Sequence, residues 1–185
     1  HLILAAGAWT PELAPAIAGA LTVERQMAVW LREAEPIAGP MPVWFWDAGP
    51  GVAVYGFPPS DGTLKLALHH HGEPTTADTV DRRPDEHHAQ VVRELGTRLL
   101  GPAAGPVADS SVCLYTNTPD EHFAIGPLPG EDRVTLVSAC SGHGFKYAPV
   151  FGQFAEAWLS EKPSPELNAF MRGGGRVNRL GAEKG

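Results

Sequence analysis

Arg133-Val134-Thr135-Leu136-Val137-Ser138-Ala139-Cys140-Ser141-Gly142-His143-Gly144-Phe145-Lys146 is the stretch that decides the fold. Its opening residues are apolar and β-branched, and they predict a strand over 133–139. The glycines after Ser141 predict a sharp turn, because glycine adopts backbone conformations closed to other residues. Residues 144–159 then predict a helix whose apolar face is Phe151, Phe154 and Trp158. A strand that runs through a Gly turn into a helix presents free backbone N–H groups and a partial positive charge. Such a place suits an anionic oxygen, either of a phosphate or of a ring carbonyl that gains charge on reduction. The spacing fits a tight turn with no ligand equally well.

Upstream, the signals are mostly those of strands. Residues 21–31 alternate through Leu21, Val23, Arg25, Met27 and Val29, and 43–46, 52–57 and 64–69 are further β-like runs. Gly, Pro and Asp turns at 47–51 and 58–62 separate them, which predicts an antiparallel meander. Residues 84–100 predict a helix with Val91, Val92, Leu95 and Leu99 at helical spacing, stopped by Gly101-Pro102. Residues 107–116 predict another strand. Near the start, Leu2 to Ala8 reads as a buried strand running into a Gly turn. A short helix over 11–18 follows, capped by Thr10, with Leu13 and Ile17 on one face. From Gly173 onward a Gly-rich, charged tail is expected to fray. The chain starts at His1 without Met, in what reads as mid-sheet, so a piece of something longer is expected.

Composition narrows the classes. The chain has 185 residues, 14 Lys+Arg against 21 Asp+Glu, and a net charge of −7. That acidic balance argues against sequence-independent nucleic-acid binding, which needs a basic surface. No apolar run reaches the ~20 residues that span a bilayer, and no charged-then-apolar secretory leader opens the sequence. Two cysteines, Cys113 and Cys140, are too few for a disulfide framework and suit a reducing, cytoplasmic setting. Cys140 reads as packing.

Two motifs together carry a resemblance. Cys113-Leu114-Tyr115-Thr116-Asn117-Thr118-Pro119-Asp120-Glu121-His122-Phe123, followed by Ser141-Gly142-His143-Gly144-Phe145-Lys146, resembles the monomeric sarcosine oxidase and N-methyltryptophan oxidase family, flavoprotein amine oxidases that carry FAD on a cysteine. Ala6-Gly7-Ala8-Trp9, Tyr55-Gly56-Phe57-Pro58, Leu64 to His69 and Asp78-Thr79-Val80-Asp81-Arg82 agree with it, so the likeness runs in order over about 1–160. It implies an α+β fold: an antiparallel-rich substrate-domain sheet with flanking helices, plus the C-terminal strand-turn-helix part of a Rossmann-like FAD-binding domain. On this reading 1–18 end the FAD-binding domain, 19–118 form the substrate domain and 119–185 return to the FAD-binding domain. The GxGxxG that cradles a dinucleotide occurs nowhere in the chain, so the N-terminal half is expected to be missing.

The resemblance also implies roles. Cys113 would form a thioether to the flavin, which needs a thiolate close to the ring; by itself a lone strand cysteine is usually a buried one. Lys65 would favour electron transfer to oxygen by stabilising nascent superoxide, although on sequence alone it reads as a solvent-facing strand residue. Lys146 would hold a substrate carboxylate with an arginine of the missing half; a cation on a first helical turn is unfavourable by dipole and suggests an anionic partner. Tyr55, His69 and Tyr115 would line the substrate site, with Tyr55 and His69 beside Lys65 as catalytic positions. Gly7, Ala8, Trp9, Gly142, His143, Gly144, Phe145 and Lys146 would hold the cofactor. The implied reaction oxidises the secondary amine of an N-methyl or cyclic amino acid to an imine, with molecular oxygen becoming hydrogen peroxide.

Two other readings stay open. His69-His70-His71 and His87-His88 place five of the eight histidines between 69 and 88, where a metal could be sought. Adjacent strand residues point to opposite faces, so at most two of the first three could share an ion; no metal is expected. Alternatively the chain is an inactive remnant or binding domain, with apolar surfaces paired to the missing half or to a second copy.

Overall fold

The structure is a computed structural model that describes residues 1–138, 141–160, 162 and 164–173. Alternating and helical apolar periods sort these residues into β1 (Leu2–Leu4), α1 (Thr10–Leu13), β2 (Thr22–Glu33), β3 (Trp44–Asp47), β4 (Ala53–Gly56), β5 (Thr63–His69) and β6 (Glu73–Pro74). They continue with α2 (Glu86–Leu100), β7 (Ala104–Asn117), β8 (Ala124–Leu128), β9 (Glu131–Ser138), α3 (Ala148–Leu159) and α4 (Pro165–Gly173). The fold is a mixed α+β one with largely antiparallel sheets. It divides into two compact units. Unit 1 comprises His1–Glu24, Pro74–Thr79 and Leu114 onward; unit 2 comprises Arg25–Glu73 and Val80–Cys113.

Unit 2 is built on the strands that the turns separate. The larger sheet runs β3-β4-β5-β2-β6, with β7 also pairing β2. Strand β5 pairs antiparallel to β2 with Trp30 opposite Lys65, and to β4 with Tyr55 opposite Ala67. Strand β3 pairs β4 with Phe45 opposite Tyr55. Alternation then decides the faces. Leu64, Leu66, Leu68, Val54, Met27, Val29, Leu31 and Val112 form one buried core with Ala89 and Val92 of α2. Helix α2 starts where Asp85 accepts hydrogen bonds from the His87 and His88 amides at 2.8 and 3.3 Å, an N-cap that satisfies two otherwise orphaned donors. Leu99 lies outside the core, 37% exposed; Gly96 takes its place at the sheet, where a helix packs closest.

Unit 1 holds a three-stranded sheet ordered β1-β9-β8. Strand β1 is parallel to β9 with Leu2 opposite Val134 and Leu4 opposite Leu136, and β8 is antiparallel to β9. One apolar cluster gathers Ala14, Ile17, Leu21, Ala124, Leu128 and Leu136, and another Ile125, Phe151, Phe154, Ala157 and Leu167. Strand β1 is not buried as expected: Leu2 is 58% exposed, because it forms the sheet's edge. The single helix expected over 11–18 is a short α1 followed by a 3-10 stretch, Pro15–Ala20. Pro15 breaks the helical hydrogen bonding, so Ile17 is buried while Leu13 is exposed. Thr10 lies inside α1 and makes no side-chain cap. Strand β8 was not expected at all.

Candidate functional site

In unit 2 the face of the sheet opposite the core carries the polar and aromatic side chains. On β5, Leu64, Leu66 and Leu68 turn into the core, so Lys65 and His69 take the other face. Tyr55 stands beside them: its ring centroid lies 6.1 Å from His69 and 6.1 Å from Phe57. Phe45 meets His69 edge-on at 5.4 Å. The Lys65 ammonium is bracketed by two rings, with Nζ 5.3 Å from the Trp30 centroid and 5.2 Å from that of Phe57. Aromatic faces attract a cation, so this pair fixes where a half-buried positive charge sits without neutralising it.

Cys113 follows Val112, which is in the core, and so belongs to the same open face as Lys65. It is a free, half-buried thiol. Burial pushes its pKa up, while the charges of Lys65 and Arg82 pull the other way. Lys65, a backbone hydrogen bond and Arg82 favour the thiolate, but burial outweighs them and the net shift is upward. The structure thus brings Tyr55, Lys65, His69 and Cys113 to one face of one sheet. Trp30 and Phe45 join them although the sequence reading did not single them out. The alternation of Trp44-Phe45-Trp46, with a ring on every residue, was the available signal for Phe45. Trp30 becomes visible only through its register with Lys65.

In unit 1 the parallel register of β1 and β9 places the turns after them at the same end of the small sheet. Open sheets hold ligands outside the carboxyl ends of parallel strands. After β1, Gly7 takes a left-handed φ of 54°, and Trp9 donates from Nε1 to Asp78 Oδ1 at 2.8 Å. After β9, Ser141 is fully buried with φ 42°, and Gly142 has φ 73°. A non-glycine residue in that region is held at a cost of about 1–3 kcal/mol. The Ser141 hydroxyl donates to the His122 carbonyl at 2.7 Å and accepts from the Thr118 amide at 3.3 Å. His143 sits beside Phe123, ring centroids 4.7 Å apart.

The helix does not begin at Gly144. Phe145–Tyr147 form a 3-10 turn, and α3 starts at Ala148 with Pro149 in its first turn, the place where proline's missing N–H is harmless. Lys146 therefore precedes the helix rather than opposing its dipole. It is exposed, with Nζ 5.2 Å from the Tyr147 ring centroid. Phe145 is 95% exposed and Tyr115 is buried. The expected packing role of Cys140 and the tail beyond Gly173 lie outside the described residues.

Among the described residues of unit 1, three buried polar atoms have no hydrogen-bond partner: Thr10 Oγ1, Asn117 Oδ1 and Ser138 Oγ. Asn117 ends β7, Ser138 ends β9, and Thr10 follows the Gly7 turn. Buried polar atoms are rarely left unpaired without reason, and here they suit a polar ligand at the strand ends. A cavity of about 320 Å³ at the other end of the sheet, lined by His1, Leu2, Glu131, Arg133 and Val134, holds none of the candidate site residues. Among the described residues no group of three or more His, Cys, Asp or Glu side chains could hold a metal ion. No helix there is long and apolar enough to cross a membrane.

The sequence profile of the FAD dependent oxidoreductases matches residues 1–158. The chain belongs to that family. Monomeric sarcosine oxidase of Streptomyces avermitilis is 36% identical to it over 162 residues, 83% of this chain and 42% of the oxidase. N-methyl-L-tryptophan oxidase of Yersinia pestis is 33% identical over 176 residues, 91% of this chain and 46% of that protein. This FAD dependent oxidoreductase chain thus spans less than half the length of the curated relatives it matches. In fold it is similar to NikD, an amino acid oxidase (TM-score 0.70, 20% identity, 88% of this chain and 45% of that one). It is also similar to amadoriase I of Aspergillus fumigatus (TM-score 0.70, 20% identity, 89% of this chain and 40% of that one).

Proposed function

We propose that this chain is part of an FAD-dependent oxidase that converts the secondary amine of an N-methyl or cyclic amino acid to an imine and passes the electrons to oxygen, giving hydrogen peroxide. The observation that carries the reading is the shared open face of Tyr55, Lys65, His69 and Cys113 in unit 2. A free thiol, a bracketed cation and a ring wall on one sheet face support that reading. Unit 2 is then the substrate-domain portion and unit 1 the part of the FAD-binding domain that lacks GxGxxG. The dinucleotide cradle comes from an N-terminal half, whose absence leaves apolar surfaces to be exposed or covered by a second copy. The reading places the enzyme in the cytoplasm.

The residues fit the cofactor. The unpartnered atoms of Thr10, Asn117 and Ser138, the turn of Gly7, Ala8 and Trp9, and the turn of Gly142, His143, Gly144 and Phe145 would hold it, with Lys146 beside them. Bound FAD supplies the two-electron acceptor for the α-C–H of the amine. Cys113 would join it through Sγ at the ring's 8α-methyl. That tether, an S–H and a C–H exchanged for a C–S bond, would be oxidative, with dioxygen as the acceptor of the two electrons and two protons. Lys65 Nζ, held over Trp30 and Phe57, stabilises negative charge developing on oxygen. Tyr55, His69 and Tyr115 bound the amine, and Lys146 draws its carboxylate.

Peroxide release over a panel of N-methyl and cyclic amino acids, measured on the chain joined to a GxGxxG-bearing half, tests this. Peroxide with at least one secondary amine is expected. None with any of them, or stoichiometric zinc in a protein without flavin absorbance, refutes it.

A further inference from the structure

Every polar atom of Ser141 is committed. Its amide donates to the Thr116 carbonyl at 3.0 Å, and its hydroxyl bridges the His122 carbonyl and the Thr118 amide. Its own carbonyl lies 2.7 Å from His143 Nδ1. A carbonyl oxygen can only accept, so at that distance Nδ1 carries the proton. A neutral imidazole protonated at Nδ1 has its lone pair on Nε2. The ring cannot easily turn away from this arrangement, since it lies against Phe123, which is packed in turn on Phe151 at 4.9 Å and Tyr147 at 5.6 Å.

We infer that Ser141 is a positioning residue acting through His143: the left-handed, buried backbone of Ser141, anchored by its hydroxyl, aims a carbonyl that fixes the Nδ1–H tautomer and leaves Nε2 as a hydrogen-bond acceptor. This deepens the reading of the turn as part of the cofactor's seat. Backbone N–H groups alone would suit any anionic oxygen. An imidazole lone pair beside them takes an N–H or O–H donor instead, so the turn presents both hydrogen-bonding senses, which matches a ring edge that carries a carbonyl next to an N–H. Ser141 supplies the conformation at the expense of local strain, and its two side-chain hydrogen bonds hold that strain in place.

The test is the ¹⁵N spectrum of the histidine-labelled full chain without flavin, at about pH 8, where an ordinary imidazole is neutral. The His143 resonances are assigned by their loss in His143→Gln. The expected result is a pyrrole-type Nδ1 and a pyridine-type Nε2, with the Nδ1–H form favoured about tenfold, as one hydrogen bond of ordinary strength gives. Ser141→Gly keeps the backbone conformation accessible but removes the anchoring hydroxyl, and the two tautomers are expected to mix. Phe123→Leu removes the ring contact but not the carbonyl, and the tautomer is expected to persist. An Nε2–H tautomer in the unsubstituted chain overturns the inference, as does an unchanged tautomer in Ser141→Gly or its loss in Phe123→Leu. If Ser141→Gly fails to keep the parent amide spectrum, the unsubstituted and Phe123→Leu spectra decide. Because no flavin is present, this outcome is independent of the peroxide assay.

Discussion

Replacing Gly96 by alanine sets helix propensity against packing, and the structure says which wins. In an exposed helix the change would stabilise by about 1 kcal/mol, because glycine is the costlier residue to order. Gly96 is buried in α2, however, where a new Cβ would stand 2.9 Å from Leu66 Cδ2 and 3.0 Å from Leu31 Cδ1. Both leucines are fully buried, so neither can swing into solvent, and overpacking of this kind costs about 1–3 kcal/mol. The balance is a net loss of about 1 kcal/mol. Urea denaturation followed by tryptophan fluorescence should show the midpoint falling by about 0.5 M at an unchanged slope. Leu66→Ala alone should cost about 2–5 kcal/mol. In that background Gly96→Ala should become stabilising, a coupling of about 2 kcal/mol in the double-mutant cycle. A higher midpoint for Gly96→Ala in the parent chain, or simple additivity with Leu66→Ala, would refute the placement of α2 on β5.

Other consequences can be checked alongside. Lys65→Met, in the chain completed by its dinucleotide half, should slow reoxidation by oxygen about 10²–10³-fold while leaving anaerobic reduction by substrate within about threefold; equal losses in both steps would remove Lys65 from the oxygen side. Cys113→Ser should abolish flavin that stays with the polypeptide after denaturation, and a yellow band persisting in that variant would count against the thioether. His88, half-buried with Nε2 unpartnered, has its pKa held below the ordinary 6.5, chiefly by desolvation. Asp85 opposes that shift, while His71, Arg25 and His87 add to it. Folding therefore favours neutral His88. Its contribution is intact above 6.5 and is lost as the pH falls from there through the folded-state value. Urea midpoints measured across that range should decline less steeply in His88→Gln, and identical slopes would remove His88 as the cause.

The sheet of unit 2 was legible where its strands alternate, as Leu64, Leu66 and Leu68 do with Thr63, Lys65 and Ala67, and where the Gly- and Asp-rich turns at 47–51 and 58–62 mark reversals. Strand β8 was not, because Gly126 and Pro127 read locally as turn residues. Pairing with β9 overrides them, and the register is irregular between Pro127 and Leu128. The late start of α3 has a local cause too: Pro149 fits only a helix's first turn, so the backbone before it tightens to a 3-10 form. At the site, the special positions of Cys113 and Lys65 came from the resemblance, since a strand cysteine and a strand lysine carry no periodic signal. The bracket around Lys65 depends on β2 lying beside β5, a long-range pairing that no window of sequence contains. Ser141 was read only as part of a sharp Gly turn, whereas its burial and left-handed backbone make it an anchor.

The parallel pairing in the small sheet joins Leu2 to Val134, residues separated by well over half of the chain. During synthesis β1 leaves the ribosome more than a hundred residues ahead of β9, the strand it pairs with here. Such closure is slow relative to the local hairpins of unit 2. Unit 2 is thus placed to fold before the small sheet of unit 1 closes. A chaperone that shields extended apolar segments, or a slower ribosome near β9, would act on that interval rather than on the finished molecule.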